Sequence, residues 1–523
     1  MRARPLSVLA LVLALAVLAA WRAACVRAGI DIDTDAYAHH MIARAILADP
    51  RDLAVHWVWL PLFHYAQVPL VALGGSIEVV RWTNLVLAAA LPALLFAYVA
   101  RTTRPGSAWM TPEGVALVAA LFAAGCPIAM QMGTTAQPEP LFALLVLGVA
   151  IAFERAAWGT AAALLGAAVM LRYEAWAVLA TAAALLAFDA ARGRAGRAPT
   201  SWRRWLVVAV PVALILGWAA LRRPVDGKWF GFLRQTQDFA SDALHQKSAL
   251  SAGMKALARD ALYYPVFVPV RVLGGAMLLV PFGVARTVRE QGARFVLLMA
   301  APLGFVSLSW ITRAMLGLDR HFVCIVPLYA TFAAQGAAAI ADVTARLGRR
   351  FMGLRGAALW GRCVAGLLAC GALAGLAVQL DVWMGFWRAS IARGWPERTA
   401  IAAYLRSLPG ASVVFCDEAT IEIPSGLDRR RFDRHWIDDP HTWDLIREAA
   451  RARGVVYVAT WRRKLHGHER VPGPAAKRTS LEPEATGAVT GEIVFRAGVD
   501  PSPEDTTGVA VMRITPDEGA AQR

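Results

Sequence analysis

The feature that most constrains this chain is a succession of apolar runs, many of them about 20 residues long, between residues 6 and 380. An apolar run of that length crosses the hydrocarbon core of a bilayer as a single α-helix. Apolar residues make up 57% of the chain and charged residues only 18%, a balance that soluble domains rarely show. The sequence therefore predicts a multi-pass α-helical membrane protein.

About eleven segments are apolar enough to be spans. They are 6–24, 79–100, 112–131, 138–156, 159–171, 174–190, 205–221, 263–285, 295–312, 321–341 and 358–380. We expect the first to be a retained signal anchor, because its basic start precedes an apolar run. Segment 56–74 is also apolar, but we interpret it as an element on the outer surface, since counting it as a span would put all the basic loops that follow it outside the cytoplasm.

Four loops between the predicted spans are basic: 101–106, 192–204, 286–294 and 345–356. With eleven spans all four lie on one side, which the positive-inside rule assigns to the cytoplasm. The net charge of +16 is then a consequence of membrane orientation, so we reject nucleic acid as a partner. This topology predicts the inner (cytoplasmic) membrane as the location, with everything after residue 380 outside the cytoplasm.

The sequence predicts two domains. Residues 1–385 form the transmembrane domain, whose first outer loop is 25–78, and residues 386–523 form a small extracytoplasmic α/β domain. In that domain the β-branched runs 411–416 and 455–460 predict buried strands, and 508–514 predicts a last strand. The six cysteines have no paired spacing, so neither a disulfide framework nor a zinc site is indicated.

Three carboxylates, Asp31, Asp33 and Asp35, alternate in the first outer loop, directly before an amphipathic helix. Charged groups beside a bilayer are costly to desolvate, so such a cluster is a candidate functional site. The alternative is a solvated connecting loop. Of the three, we expect Asp31 to matter least, because it lies furthest from the helix.

Short motifs follow one another along residues 1–345. They are Asp35, Tyr37, Ala43 and Arg44 in the first loop, segment 59–84 with Arg81, Glu139 at the start of a span, LRYEAW (171–176) and DRHFVCIVPLY (319–329). Their order resembles the GT-C fold of integral-membrane glycosyltransferases, including the protein O-mannosyltransferases and aminoarabinose transferases. The resemblance implies transfer of a sugar from polyprenyl phosphate. Glu139 stands where Asp is commoner, and no acidic residue directly follows Asp35.

Such a transfer needs a base for the acceptor hydroxyl and cations for the departing phosphate. We expect Asp35 to be the base, with Asp33 as the alternative. The candidate substrate-binding residues are Arg172, Glu174, Arg320, His321, His64 and Lys228. Arg172 and Glu174 can instead form a simple ion pair, Arg320 can be a membrane-interface anchor, and His64 can be packed in an aromatic segment.

Glu139 is a candidate ligand for a divalent cation, Mg or Mn, or for the acceptor, although a Glu at a helix start is favourable in any case. The expected partners are the polyprenyl-phosphate sugar donor, a glycan, glycolipid or protein acceptor, and the bilayer. The alternative functions are a multi-pass transporter or lipid-linked saccharide flippase, which predict charged or broken helices deep in the bilayer, and a non-enzymatic assembly or sensor protein.

Overall fold

A computed structural model of the chain describes residues 5–104, 110–192, 202–244, 253–428, 431–433, 440–461, 465, 489–497 and 509–516. The chain divides into two compact units. Residues 1–31 and 46–392 form the first, here called the helical unit, and residues 32–45 and 393–523 form the second, the α/β unit. The sequence-based limit at residue 385 stays a prediction.

The described part of the helical unit is largely helical. They are α1 (Pro5–Ala28), α3 (Leu62–Ala72), α4 (Ile77–Thr102), α5 (Pro112–Ala124), α6 (Pro127–Met132), α7 (Glu139–Glu154), α8 (Trp158–Val169), α9 (Glu174–Ala191), α10 (Leu206–Asp226), α11 (Gly231–Leu244), α12 (Met254–Leu262), α13 (Val268–Leu273), α14 (Val280–Gln291), α15 (Ala293–Thr312) and α16 (Val326–Arg393). Helix α2 (Thr34–Ala48) lies mainly in the other unit. A 3-10 helix, Asp319–Ile325, leads into α16. The range of α16 contains two helices that meet at a kink at Gly353, whose backbone is not helical.

Among the described residues, eight helical segments are long and apolar enough to cross a membrane. They are Pro5–Ala28, Ile77–Thr102, Glu174–Ala191, Trp202–Asp226, Met254–Gln291, Ala293–Thr312, Asp319–Arg349 and Arg355–Ser407. This supports a multi-pass membrane protein but does not confirm a count of eleven.

The other three predicted spans correspond to shorter helices. Helix α5 has 13 residues, α7 has 16 and α8 has 12, all fewer than the roughly 20 that a crossing needs. Segment 56–74 contains α3, which has only 11 residues and a proline inside it. That length favours the interpretation of this segment as a surface element.

The α/β unit is built on a five-stranded sheet with the order β2-β1-β3-β5-β4. Its strands are β1 (Val413–Phe415), β2 (Phe432–Asp433), β3 (Val456–Trp461), β4 (Val489–Ala497) and β5 (Val509–Pro516). Strand β1 is parallel to both β2 and β3, whereas β5 is antiparallel to β3 and β4. The strands expected at 411–416, 455–460 and 508–514 are present, and β2 and β4 are additional.

Successive side chains of a strand point to opposite faces of the sheet. Here both faces carry apolar side chains, and helices cover both of them. Phe415 and Val458 face helix α19 (Pro440–Arg453). Val414 and Ala459 face the opposite cluster, which includes α17 (Pro396–Ser407) and α18 (Ala419–Ser425). The sheet is therefore buried between two helical layers.

Candidate functional site

Arg172 is the centre of a buried ionic cluster in the helical unit. It lies in the tight turn between α8 and α9, where its N–H donates to the carbonyl of Ala168. Its Nη1 is 2.7 Å from Glu139 Oε1, and its Nη2 is 2.9 Å from Glu174 Oε1. Only 14% of the Arg172 side chain is exposed, and the two carboxylates are almost fully buried. The turn therefore holds one guanidinium between two carboxylates.

Each of these carboxylates is the first residue of a helix, Glu139 of α7 and Glu174 of α9. The positive end of the helix dipole favours a negative charge there. Burial lowers the pKa of the Arg172 guanidinium, but the charges of Glu174 and Glu139 outweigh that effect, so its pKa is raised above the ordinary value. Arg172 therefore remains a cation in this cluster.

Two further predicted residues reach the cluster from the 3-10 helix before α16. Arg320 Nε lies 3.6 Å from Glu139 Oε1, and His321 Nδ1 lies 3.0 Å from Glu174 Oε1 and 2.6 Å from Arg172 Nη2. A ring nitrogen either accepts one hydrogen bond or donates one. His321 therefore accepts from Arg172 when its Nδ1 is bare and donates to Glu174 when it is protonated there.

We call these five residues the arginine cluster: Arg172, Arg320, Glu139, Glu174 and His321. The structure thus brings together residues that the sequence nominated one by one. The ion pair between Arg172 and Glu174, one of the two interpretations of that pair, is present. Two carboxylates balance two guanidinium groups, so an incoming anion has to share cations that already have partners.

A divalent cation does not fit the surroundings of Glu139. Both Arg172 and Arg320 approach the same carboxylate oxygen, and their charges repel a metal ion. Within the described ranges, no group of three His, Cys, Asp or Glu side chains is placed to hold one. No reaction step is therefore assigned to a metal at Glu139.

A network of hydrogen bonds fixes the loop that leads into Glu139. Asp31 Oδ2 accepts from the N–H of Ala136 at 2.8 Å, and Arg81 Nε donates to the carbonyl of Thr134 at 2.8 Å. Asn84 Nδ2 donates to the carbonyls of Thr135 and Gln137. Asp31 is 1% exposed. The carboxylate expected to matter least is thus buried and helps to set the start of α7.

The segment before Arg320 is held in a similar way. Tyr263 and Tyr264 donate from their hydroxyl groups to the carbonyls of Gly317 and Leu318, both at 3.1 Å. These two hydrogen bonds fix the backbone immediately before the 3-10 helix that carries Arg320 and His321.

The two predicted catalytic carboxylates, Asp33 and Asp35, belong to the α/β unit. Asp33 is the residue before helix α2, and its Oδ1 accepts from the N–H of Asp35 at 3.1 Å. That is the arrangement of a helix N-cap, which satisfies one of the free N–H groups at a helix start. Asp33 therefore has a structural role, while the Asp35 carboxylate lies half-buried in the first turn.

The remaining two predicted residues lie outside the arginine cluster. His64 is fully buried, and its Nδ1 is 2.8 Å from Nδ1 of His56. Burial, followed by the charge of Arg222, lowers the pKa of His56 from 6.5 to about 3, so His56 is neutral. Lys228 is exposed in the turn between α10 and α11. The packed interpretation of His64 fits its burial.

Comparisons with known proteins identify the fold. Neither a scan of protein-family models nor a search of curated sequences found a match. The crystal structure of ArnT from Cupriavidus metallidurans bound to undecaprenyl phosphate is similar, with a TM-score of 0.55 and 14% identity over 96% of this chain and 97% of that one. The apo structure of the same protein gives a TM-score of 0.54 at 14% identity, with the same coverage. The fold expected from the resemblance is therefore confirmed.

Proposed function

We propose that this chain is a membrane glycosyltransferase that moves a sugar from a polyprenyl-phosphate donor to an acceptor hydroxyl. The observation that carries the proposal is the shared fold: it extends over nearly the whole of both chains, and that ArnT holds undecaprenyl phosphate. The arginine cluster adds buried guanidinium groups, which suit phosphate oxygens. We infer an inner-membrane location with the reaction at the outer face, because the predicted basic loops lie on the other side.

In this mechanism Asp35 is the general base. It takes the proton of the acceptor hydroxyl while the acceptor oxygen forms a bond to the anomeric carbon of the sugar. The bond from that carbon to the phosphate oxygen breaks, and polyprenyl phosphate leaves with the electron pair. Direct displacement inverts the configuration of the sugar. A general base positioned in this way contributes about a hundredfold to ten-thousandfold in rate.

We assign Arg320 to the departing phosphate and Arg172 to the order of the cluster. Arg320 makes a looser contact with Glu139, at 3.6 Å, than the 2.7 Å contact made by Arg172. Of the two contacts with Glu139, that of Arg320 is the weaker, and it is the one that we propose a phosphate displaces. Arg172, held by both carboxylates, keeps Glu139 and Glu174 in place while Arg320 changes partner. Lys228 is a further cation for the phosphate.

The test is transfer in liposomes that contain the purified protein and radiolabelled polyprenyl-phosphate sugars, with binding of polyprenyl phosphate measured separately. Asp35→Asn should lose transfer about a hundredfold or more and retain binding, because Asn keeps the size but cannot take the proton. Arg320→Gln should weaken both the transfer of sugar and the binding of polyprenyl phosphate. The matched control is Asp49→Asn, an exposed carboxylate just after helix α2.

The outcomes separate the candidate functions. Transfer that survives Asp35→Asn but not Asp33→Asn moves the base to Asp33 and keeps the glycosyltransferase. Binding without transfer, for every hexosyl and pentosyl donor, favours the flippase. Activity that neither carboxylate affects would contradict the mechanism.

A further inference from the structure

Helix α2, which carries Asp35, is part of the α/β unit although nearly 350 residues separate it from the rest of that unit in the chain. The ring of Tyr37 lies 5.8 Å from the ring of Trp395, centre to centre. Nη2 of Arg44 donates to the carbonyl of Leu427 at 3.3 Å. Tyr37 is 1% exposed, so its contact is buried. Two contacts thus connect α2 to two segments of the α/β unit, one before β1 in the sequence and one after it.

Both contact points are themselves fixed. The guanidinium of Arg398 lies 3.9 Å from the centre of the Trp395 ring, and Arg398 is in electrostatic range of Glu418, just after β1. Leu427 follows α18, whose end is held by Arg406, since Arg406 Nη1 donates to the carbonyl of Pro424 at 3.0 Å. Contacts made by α17 therefore hold both of the segments that α2 contacts.

The spacing along α2 leaves Asp35 clear of these contacts. Tyr37 and Arg44 are seven residues apart, which is about two helical turns, so they lie on the same face. Asp35 precedes Tyr37 by two residues, a rotation of roughly 200°, which puts it on the opposite side of the helix. One face of α2 therefore contacts the segments at Trp395 and Leu427, and Asp35 lies on the other face.

We propose that the α/β unit positions the catalytic base, with Tyr37, Arg44 and Trp395 as its positioning residues. This inference rests on the proposed function, because it takes Asp35 as the base. A carboxylate that is misplaced by about 1 Å can cost a hundredfold in rate even when the misplacing change is distant. The α/β unit is then a working part of the transferase, acting through the orientation of α2.

The experiment compares Trp395→Ala, Trp395→Phe and a control, Phe495→Ala, in the full-length protein. Phe495 stacks on Tyr404 at 4.7 Å, so the control removes one ring of a pair in the same unit without touching α2. Two properties are measured for each: the kcat and KM of transfer from the polyprenyl-phosphate sugar as a function of pH, and hydrogen exchange of the amides of residues 34–45 and of the strands.

We expect Trp395→Ala to lower kcat about tenfold to a hundredfold, with the KM for donor lipid within twofold and the acid limb of the pH profile unchanged. Exchange should quicken in residues 34–45 but not in β1, β3 or β5. Trp395→Phe should restore both properties, because it keeps an aromatic ring beside Tyr37. Phe495→Ala should leave kcat within twofold of the wild type.

Three results would overturn the inference. One is equal loss of kcat in Trp395→Ala and Phe495→Ala with faster exchange in the strands, which is the signature of general destabilisation. Another is faster exchange in residues 34–45 at unchanged kcat. The third is a wild-type protein that transfers no sugar, which removes the proposed function too and is distinguished by the wild type alone.

Discussion

Removing Arg172 should destabilise the protein strongly, because its guanidinium compensates two buried carboxylates. The side chains of Glu139 and Glu174 are 2% and 4% exposed, and Arg172 approaches them at 2.7 and 2.9 Å. Loss of one partner from a buried ion pair costs about 3–5 kcal/mol. We therefore expect Arg172→Met to lower the free energy of unfolding by about that amount, equivalent to roughly a hundredfold to several-thousandfold in the folded population.

The assay is equilibrium unfolding in detergent micelles, followed by circular dichroism. The matched control is Arg234→Met, since Arg234 and Asp238 form an ion pair at 3.7 Å with both side chains more than 60% exposed. An exposed pair contributes at most about 1 kcal/mol. Adding Glu174→Gln to Arg172→Met should recover about 1–3 kcal/mol, because it removes one uncompensated charge. If Arg172→Met and Arg234→Met lowered the free energy of unfolding by the same amount, this account of the cluster would be refuted.

Four further outcomes are expected. Asp33→Ala should cost about 1 kcal/mol by removing the N-cap of α2, seen as faster exchange in its first turn, whereas Asp33→Asn should retain the cap. Asp31→Ala should cost about 1–3 kcal/mol in thermal unfolding, because the buried N–H of Ala136 loses its acceptor; a silent variant would contradict the network. Because the pKa of His56 is lowered to about 3 in the folded state, the unfolded state binds more protons below about pH 6.5, and the free energy of unfolding falls as the pH drops toward 3. His56→Phe should therefore flatten the dependence of this free energy on pH; an unchanged slope would exclude His56 as its source. The connection 222–262 between two predicted spans, which contains α11 and α12, should become less sensitive to protease when donor lipid is added, as a segment that closes over substrate does; unchanged cleavage would argue against closure.

Most of the fold could be predicted from the sequence because long apolar runs and short β-branched runs each have one dominant physical solution. The runs at 79–100 and 295–312 became helices of 26 and 20 residues. The run at 112–131 did not, because Gly125 and Pro127 interrupt it and produce two short helices. Apolar composition alone does not register such a break.

The members of the arginine cluster could be nominated from the sequence, but their pairing could not. Arg172 is 33 residues from Glu139 and 149 from His321, and only the meeting of several helix ends brings them within hydrogen-bond distance. The buried state of Asp31 was equally inaccessible, because alternating carboxylates look alike in a loop. His64 was named for its aromatic neighbours, and those neighbours are what bury it.

The α/β unit combines residues 32–45, near the start of the chain, with residues 393–523 at its end, and this has a consequence for biosynthesis. Arg44 and Leu427 are separated by 383 residues, so helix α2 leaves the ribosome long before the backbone that receives it. At about 5–20 residues per second the interval is on the order of 20–80 s. Closing a free chain of that length would cost on the order of 5 kcal/mol in entropy, and prior insertion of the intervening spans shortens the effective search. During that interval the buried face of α2 lacks the contacts that Trp395 and Leu427 later provide, so its burial depends on the last quarter of the chain.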